Sequence, residues 1–257
     1  MNRYFRIFLI LVAVVQALFA VGFALRVEVI TRAWILPNTS ILSFIFIGSI
    51  FAAAAASTLW CIFTAEEGAL AGIGLDYLTI LAPLSIFSLQ IANGSTRLMV
   101  FAGLCIAGAV VGLAIFLHTR GITIRDTRPQ PRLVRYSFIV FIIALLIVGG
   151  GLALKMPDVL PWIVTPEGSV MYGWMFLGAA AYFAYALLRP SWGNSSGQLI
   201  GFLAYDLVLI LPFITRFSTE IPPQYVVGHI IYTIVVIYSA VLAIYFLFIN
   251  PSTRLSR

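Results

Sequence analysis

The sequence predicts an all-α membrane protein of eight transmembrane helices, built as two tandem parallel four-helix repeats with both termini cytoplasmic. Three observations carry that expectation. Of the 257 residues, 62% are hydrophobic and 9% charged, with a mean hydropathy of +1.07, against roughly 25% charged residues in an ordinary soluble domain. Eight separate windows carry the roughly 20 predominantly apolar residues that a spanning helix needs. The two halves also align with one another at an offset of about 129 residues.

The windows fall at 6–25, 40–63, 70–92, 97–118, 135–154, 169–188, 197–217 and 224–249. Polar breaks separate them: "RVEVITR", "TAEEG", "NGSTR", the long "HTRGITIRDTRPQPRLVR", "KMPDVLP", "RPSWGNSSG" and "RFSTEIPPQ". The start, "MNRYFRIFLILVAVVQALFAVGFA", has the charged n-region, apolar core and small residues of a secretory signal peptide. It also has a counterpart inside the chain, so it is read as a retained helix.

That counterpart emerges from the duplication. "RIFLILVAVVQALFAVGFALRVEVITRAWILP" lies over "RYSFIVFIIALLIVGGGLALKMPDVLPWIVTP", matching Arg6 with Arg135, Gly22 with Gly151, Trp34 with Trp162 and Pro37 with Pro166. "SFIFIGSIFAAAAA" lies over "YGWMFLGAAAYFAYA", with Gly48 over Gly178, and further on Asp76 lies over Asp206 and Pro83 over Pro212. An even number of spans per unit makes the repeats parallel, related by an axis along the membrane normal. The expected units are 1–118 and 135–257, joined by a basic cytoplasmic linker at 119–134.

The net charge of +6 follows topology. Ten basic residues, Arg3, Arg6, Arg120, Arg125, Arg128, Arg132, Arg135, Arg189, Arg254 and Arg257, fall on the side of the linker, and five, Arg26, Arg32, Arg97, Lys155 and Arg216, on the other. By the positive-inside rule the linker side is cytoplasmic. The arginines flank apolar spans instead of forming a soluble basic face, so no nucleic-acid partner is expected. The expected partners are the lipid bilayer, anionic headgroups at the basic linker and other membrane subunits.

Two carboxylates interrupt apolar runs: Asp76 in "GIGLDYLTILAP" and Asp206 in "FLAYDLVLILP". A carboxylate facing lipid is costly, so both are expected to point into the bundle and to bind a proton or a small cation. Asp76, Thr79, Pro83, Phe87 and Gln90 recur at spacings of three and four, on one helical face. Asp76, Asp206, Thr79 and Gln90 are therefore the candidate binding residues, at a depth of roughly 9 Å from the start of their helices. Pro83 and Pro212 are candidate kinks. The competing reading makes each aspartate a hydrogen-bonded tie within the bundle.

Other features have simpler expectations. "TAEE" reads as a capping box of Thr64 and Glu67. Trp34 and Trp162 read as interfacial anchors. "FAAAAAS" and "GAAAYFAYA" allow close helix approach, placing the second helix of each unit at the centre of packing. No cofactor and no metal site are expected: Lys155 lies at the end of a span, unsuited to a retinal Schiff base, while His118 and His229 lie at opposite faces and cannot share a metal or haem. Cys61 and Cys105 read as core residues. Nothing matches a G-x-S-x-G elbow, a P-loop or a dinucleotide fingerprint.

The segment "PWIVTPEGSVMYGWMFLGAAAYFAYALLRP" and its earlier counterpart "AWILPNTSILSFIFIGSIFAAAAAS" resemble a group of bacterial polytopic membrane proteins. In these a tryptophan and proline loop leads into a helix with a glycine followed by small and aromatic residues. Trp162, Pro166, Gly178 and Tyr182 match that pattern, as do Trp34, Pro37 and Gly48, whereas Ala52 stands where the second half has Tyr182. The resemblance implies the architecture and a multi-pass setting in the bacterial inner membrane, and no activity. Two functions fit this reading best: a small transporter or channel working through Asp76 and Asp206, and a non-catalytic subunit or scaffold of a membrane complex. A third, a lipid-modifying enzyme, would have only Glu66, Glu67, His118 and Arg120 to assemble on the cytoplasmic side.

Overall fold

The computed structural model describes residues 1–254. Arg257, counted above among the basic residues of the linker side, lies outside them. The described chain is all-helical: α1 (Arg3–Ala24), a short α2 (Glu28–Ala33), α3 (Ile41–Phe63), α4 (Leu70–Ile91) entered through a 3₁₀ turn, α5 (Thr96–Thr119), α6 (Arg132–Ala153), α7 (Pro166–Leu188), α8 (Trp192–Arg216) and α9 (Pro223–Ile244), which loosens into a π-helical turn. Eight of these helices are long and apolar enough to cross a membrane. This is an integral membrane architecture, and each predicted window lies on one of the eight.

The helix ends explain where the chain turns. Asn2, Ser40 and Thr165 cap α1, α3 and α7, their side chains accepting from the backbone N–H groups of Tyr4, Ser43 and Gly168. At the far end of α1, Arg26 adopts φ 55° and the N–H of Val27 reaches Gly22 O. Lys155 after α6 does the same, with φ 58° and Met156 N–H on Gly151 O. Both are Schellman closures made without glycine, at positions matched by the alignment of the two halves.

One boundary differs from expectation. "SWGNSSG" was expected to be a polar break, yet α8 begins at Trp192 and carries these residues buried. Small polar side chains can stay inside when helices supply partners. Asn194 Nδ2 donates to Tyr185 O and Arg189 O, Ser57 Oγ donates to Gly197 O at 2.9 Å, and Trp60 Nε1 donates to Ser196 Oγ at 3.0 Å.

Four inner helices make the core. α3 packs along α8 and α4 along α7, while α1 lies on α3, α5 on α4, α6 on α7 and α9 on α8. The second helix of each half thus rests on the third helix of the other, so residues 1–118 and 135–254 interleave. Close approach is made by glycines: a Cβ at Gly48 would lie 2.9 Å from Ala20 O of α1, and one at Gly173 would lie 2.8 Å from Gly149 O of α6. Together with the Ser40 and Thr165 caps, these contacts make Gly173, and not Gly178, the counterpart of Gly48. The apolar run had concealed a shift of more than one turn.

Trp162 is corrected outright. It is 4% exposed and stands in the main core cluster, its Nε1 donating to Ser43 Oγ at 3.0 Å. Trp34 is half-buried against the rings of Phe23 and Phe101. Indoles that meet aromatic neighbours inside the bundle have no need of the headgroup layer.

Candidate functional site

Helices α3, α4, α6, α7, α8 and α9, with the loop at 159–161, line a cavity of about 350 Å³. That is within the range of roughly 300–1,000 Å³ for small-molecule sites. Its wall is mostly apolar and aromatic. Asp76 and Asp206 both line it, together with Tyr182, Gln198, Tyr205 and Tyr232.

Each polar group is held by a specific element. On α4, Asp76 lies against Gly178 of α7, where a Cβ would come within 2.6 Å of Oδ1, so the glycine makes space for the carboxyl. Asp206 on α8 is 0% exposed. Its two carboxyl oxygens have no protein hydrogen-bond partner, nor have Asp76 Oδ1, the Tyr182 hydroxyl or Gln198 Oε1. Gln198 is oriented by its Nε2, which donates to Tyr182 O at 3.2 Å. Tyr205 and Tyr232 hydrogen-bond to each other through their hydroxyls, joining α8 to α9. Buried polar atoms ordinarily find partners, and an ionised carboxylate in an apolar setting is expensive without one. Five such unpartnered oxygens are concentrated around this one cavity.

The two aspartates are not simple counterparts. Ser57 of α3 faces Gly201 of α8, and Tyr182 of α7 faces Gly72 of α4. Put in register by Gly72 with Gly201 and Pro83 with Pro212, position 76 falls on Tyr205, and Tyr77 falls on Asp206. "DY" in the first half is "YD" in the second. One residue is about 100° on a helix. Asp76 therefore faces α7 and Tyr205 faces Phe46 of α3. Tyr77 accepts from Gln16 of α1 at 2.7 Å, and Asp206 sits on the same cavity wall as Tyr232 and Ser239 of α9. The exchange turns the second carboxyl toward α9 instead of α3, while both positions 205 and 206 remain on the cavity wall.

Asp76 lies six residues, roughly 9 Å, into α4, as expected, whereas Asp206 lies fourteen residues, roughly 21 Å, into α8. Glu66 abuts Gly193 at the linker end of the bundle. Ten residues separate Glu66 from Asp76 and thirteen separate Gly193 from Asp206, roughly 15 and 20 Å along the helices. Measured from that contact, the two carboxyls stand within about 5 Å of the same level along the bundle.

Other candidates are not part of this site. Thr79 donates to Leu75 O at 2.8 Å, and Gln90 is exposed at the far end of α4, fourteen residues or roughly 21 Å from Asp76. Neither lines the cavity. α4 and α8 run on through Pro83 and Pro212, which also stay off its wall.

The capping box is replaced by something else. Thr64 donates to Trp60 O, and Glu67 pairs with the Met1 amino group at 2.7 Å. Glu66, 3% exposed, accepts from the backbone N–H groups of Arg125 at 2.8 Å and Asp126 at 2.7 Å. The adjacent acids thus fasten the linker and the chain start to the bundle.

His118 lies by Phe5 and His229 by Phe213, in separate surroundings. Among the described residues no group of three or more metal-ligating side chains comes together. Sequence reasoning missed Tyr182, Gln198 and Tyr232. Gln198, Gly201, Phe202 and Tyr205 recur at spacings of three and four, a one-face signal present within the predicted span 197–217. Comparison with family models, curated proteins and solved structures finds no match to this chain.

Proposed function

We propose that this chain is a small transporter or channel that binds a proton or cation at Asp76 and Asp206 in a cavity within the bilayer. One observation supports it above others: two carboxyls from different halves line a single cavity, with buried oxygens that have no hydrogen-bond partner among the described residues. A carboxyl used only as a tie would be bonded to a neighbour; intramembrane acids on a cavity are where ions and protons bind. The interleaved helices and the matched Schellman closures support a duplicated, parallel architecture. The arginine distribution supports a cytoplasmic linker in a bacterial inner membrane.

The test is reconstitution of the purified chain into proteoliposomes, with proton and monovalent-cation flux followed by dyes under an imposed gradient. Flux that disappears in Asp76→Asn with Asp206→Asn, while the helical spectrum is retained, is the expected outcome. Full flux in that double variant would overturn the reading.

A further inference from the structure

The cavity has a chemical bias and an open side. Among the described residues lining it there are two carboxyls and no Arg, Lys or His. Rings of Phe141, Phe176, Phe183, Phe202, Tyr205 and Tyr232 line it among a larger number of aliphatic side chains. Such a wall suits a positive charge on an apolar body, because the carboxyls compensate the charge and ring faces attract cations.

Both ends are covered. Toward the linker, the rings of Phe141, Phe183 and Phe202 pack at 4.5–5.8 Å. At the other end the loop at 159–161 lies over α9, with Pro161 next to Gly228, and Arg216 donates to Pro161 O. The remaining side is lateral. α6 and α9 do not pack along one another; they meet at Tyr238, whose hydroxyl is 2.7 Å from Ser137 Oγ and whose ring lies 6.2 Å from Phe141. Beyond that contact Ile231 and Val235 line the cavity while 57% and 42% exposed, and Ala144 of α6 is exposed on the facing rim. In a membrane that gap opens on acyl chains.

The geometry points to a lipophilic organic cation, an amine or onium ion with an apolar body, as the ligand of this cavity, admitted sideways from the bilayer between α6 and α9. This deepens the transport reading, on which it rests for the carboxyl cavity being the working site. A molecule that partitions into the hydrocarbon layer reaches the gap without crossing either covered end. Its charge is then met by Asp76 and Asp206, with the Tyr182 hydroxyl and Gln198 Oε1 as further polar contacts. An anion of equal size and shape meets the same apolar wall and two repelling carboxylates.

The probes are tetraphenylphosphonium and its anionic counterpart tetraphenylborate, titrated into the full chain in neutral-lipid nanodiscs, with empty nanodiscs as the partitioning control. Saturable binding of the phosphonium in excess of partitioning is expected, with no such binding of the borate. Asp76→Asn with Asp206→Asn should weaken the phosphonium by roughly thirtyfold, the lower scale for removing a partner from a desolvated charge pair. Asp206→Glu, which keeps a carboxyl, should retain the preference for the cation even where the double variant folds poorly. Ala144→Trp, on the rim, should slow phosphonium association severalfold.

Equal binding of both ions, or cation binding indifferent to the Asp→Asn changes, would overturn the ligand class. An unchanged association rate in Ala144→Trp would overturn lateral access. Proton flux measured on the same preparations separates this inference from the function it rests on: phosphonium binding without flux would overturn transport alone, and flux without phosphonium binding would overturn the ligand class alone.

Discussion

Asp76 and Gly178 are fitted to one another: a Cβ on residue 178 would sit 2.6 Å from Asp76 Oδ1, so α7 lacks a side chain where α4 presents its carboxyl. Ile80 of α4 stands against the same Cβ position, so Gly178→Ala must displace both Ile80 and the carboxyl or part the helices. Overpacking of this kind costs about 1–3 kcal/mol. Thermal unfolding in detergent should show the loss, with Gly103→Ala as the control, since a Cβ there meets nothing within 4 Å. Equal stability of the two variants would remove the contact from the account.

Ser43 and Trp162 tie α3 to the loop before α7 through the indole N–H, at 3.0 Å. Ser43→Ala leaves that buried donor without its acceptor, at a cost of about 1–3 kcal/mol. Trp162→Phe removes the donor but also indole volume from the core, so both variants should unfold at lower temperature. A Ser43→Ala melting curve superimposable on the parent would show that the hydrogen bond contributes nothing.

Glu66 holds the linker with both carboxyl oxygens, one to each of two successive backbone N–H groups. Glu66→Gln keeps the shape but has one acceptor oxygen where there were two, and turns an NH₂ toward a backbone donor. Hydrogen bonds to a charged group contribute about 1.5–3 kcal/mol. The segment around Arg120, Arg125 and Arg128 should then be cut faster by trypsin, with the helical bundle intact. Cleavage at the parental rate would mean that the linker is held elsewhere.

Run length is the reason the eight spans were legible: a stretch of apolar residues long enough to cross a bilayer signals itself whatever its neighbours do. The start of α8 was not legible, because Asn194, Ser195 and Ser196 resemble a loop until Asn194 Nδ2 is seen to donate to Tyr185 O and Arg189 O, Ser195 to Ser191 O, and Trp60 to Ser196. Asp76 and Asp206 could be picked out as intramembrane acids from their surroundings alone. That the second carboxyl turns toward α9 could not, since hydropathy does not register the 100° between "DY" and "YD", and an alignment of like with like conceals it. Trp162 shows the same limit: an indole near a span end reads as an anchor until Ser43, far away in sequence, gives it a buried partner.

Within the linker, the Arg128 guanidinium donating to Asp126, with Arg128 NH2 to Oδ2 at 2.6 Å, holds the Asp126 carboxyl below its usual range. A carboxyl with a depressed folded-state pKa stabilises the fold above its unfolded value, about 3.9, and that contribution is lost as pH falls through the lower folded-state value. Proteolytic protection of the linker, assayed with an acid-active protease, should therefore decline on acidification below about pH 4. Asp126→Asn should start with weaker protection and lose this part of the pH dependence. A profile identical to the parent's would assign the acid sensitivity to another group.

The opposite side of the bundle shows why the gap lies between α6 and α9. α4 and α5 cross at glycines, where a Cβ on Gly74 would lie 2.6 Å from Gly112 O and one on Gly112 would lie 2.8 Å from Gly74 O and 2.9 Å from Tyr77 Cβ. In the second half Leu203 stands at the place of Gly74, in the register set by Pro83 and Pro212. α8 and α9 are instead joined through the Tyr205 and Tyr232 hydroxyls, a side-chain bridge that leaves room beside it. Gly112→Ala must push α5 off α4 against backbone atoms, which cannot rotate away, so a loss at the upper part of about 1–3 kcal/mol is expected. Tyr232→Phe removes one hydroxyl without adding volume and should cost about 1 kcal/mol. Thermal unfolding of the two variants checks the contrast: a Gly112→Ala variant as stable as Tyr232→Phe would show that the α4–α5 crossing is not closed by its glycines.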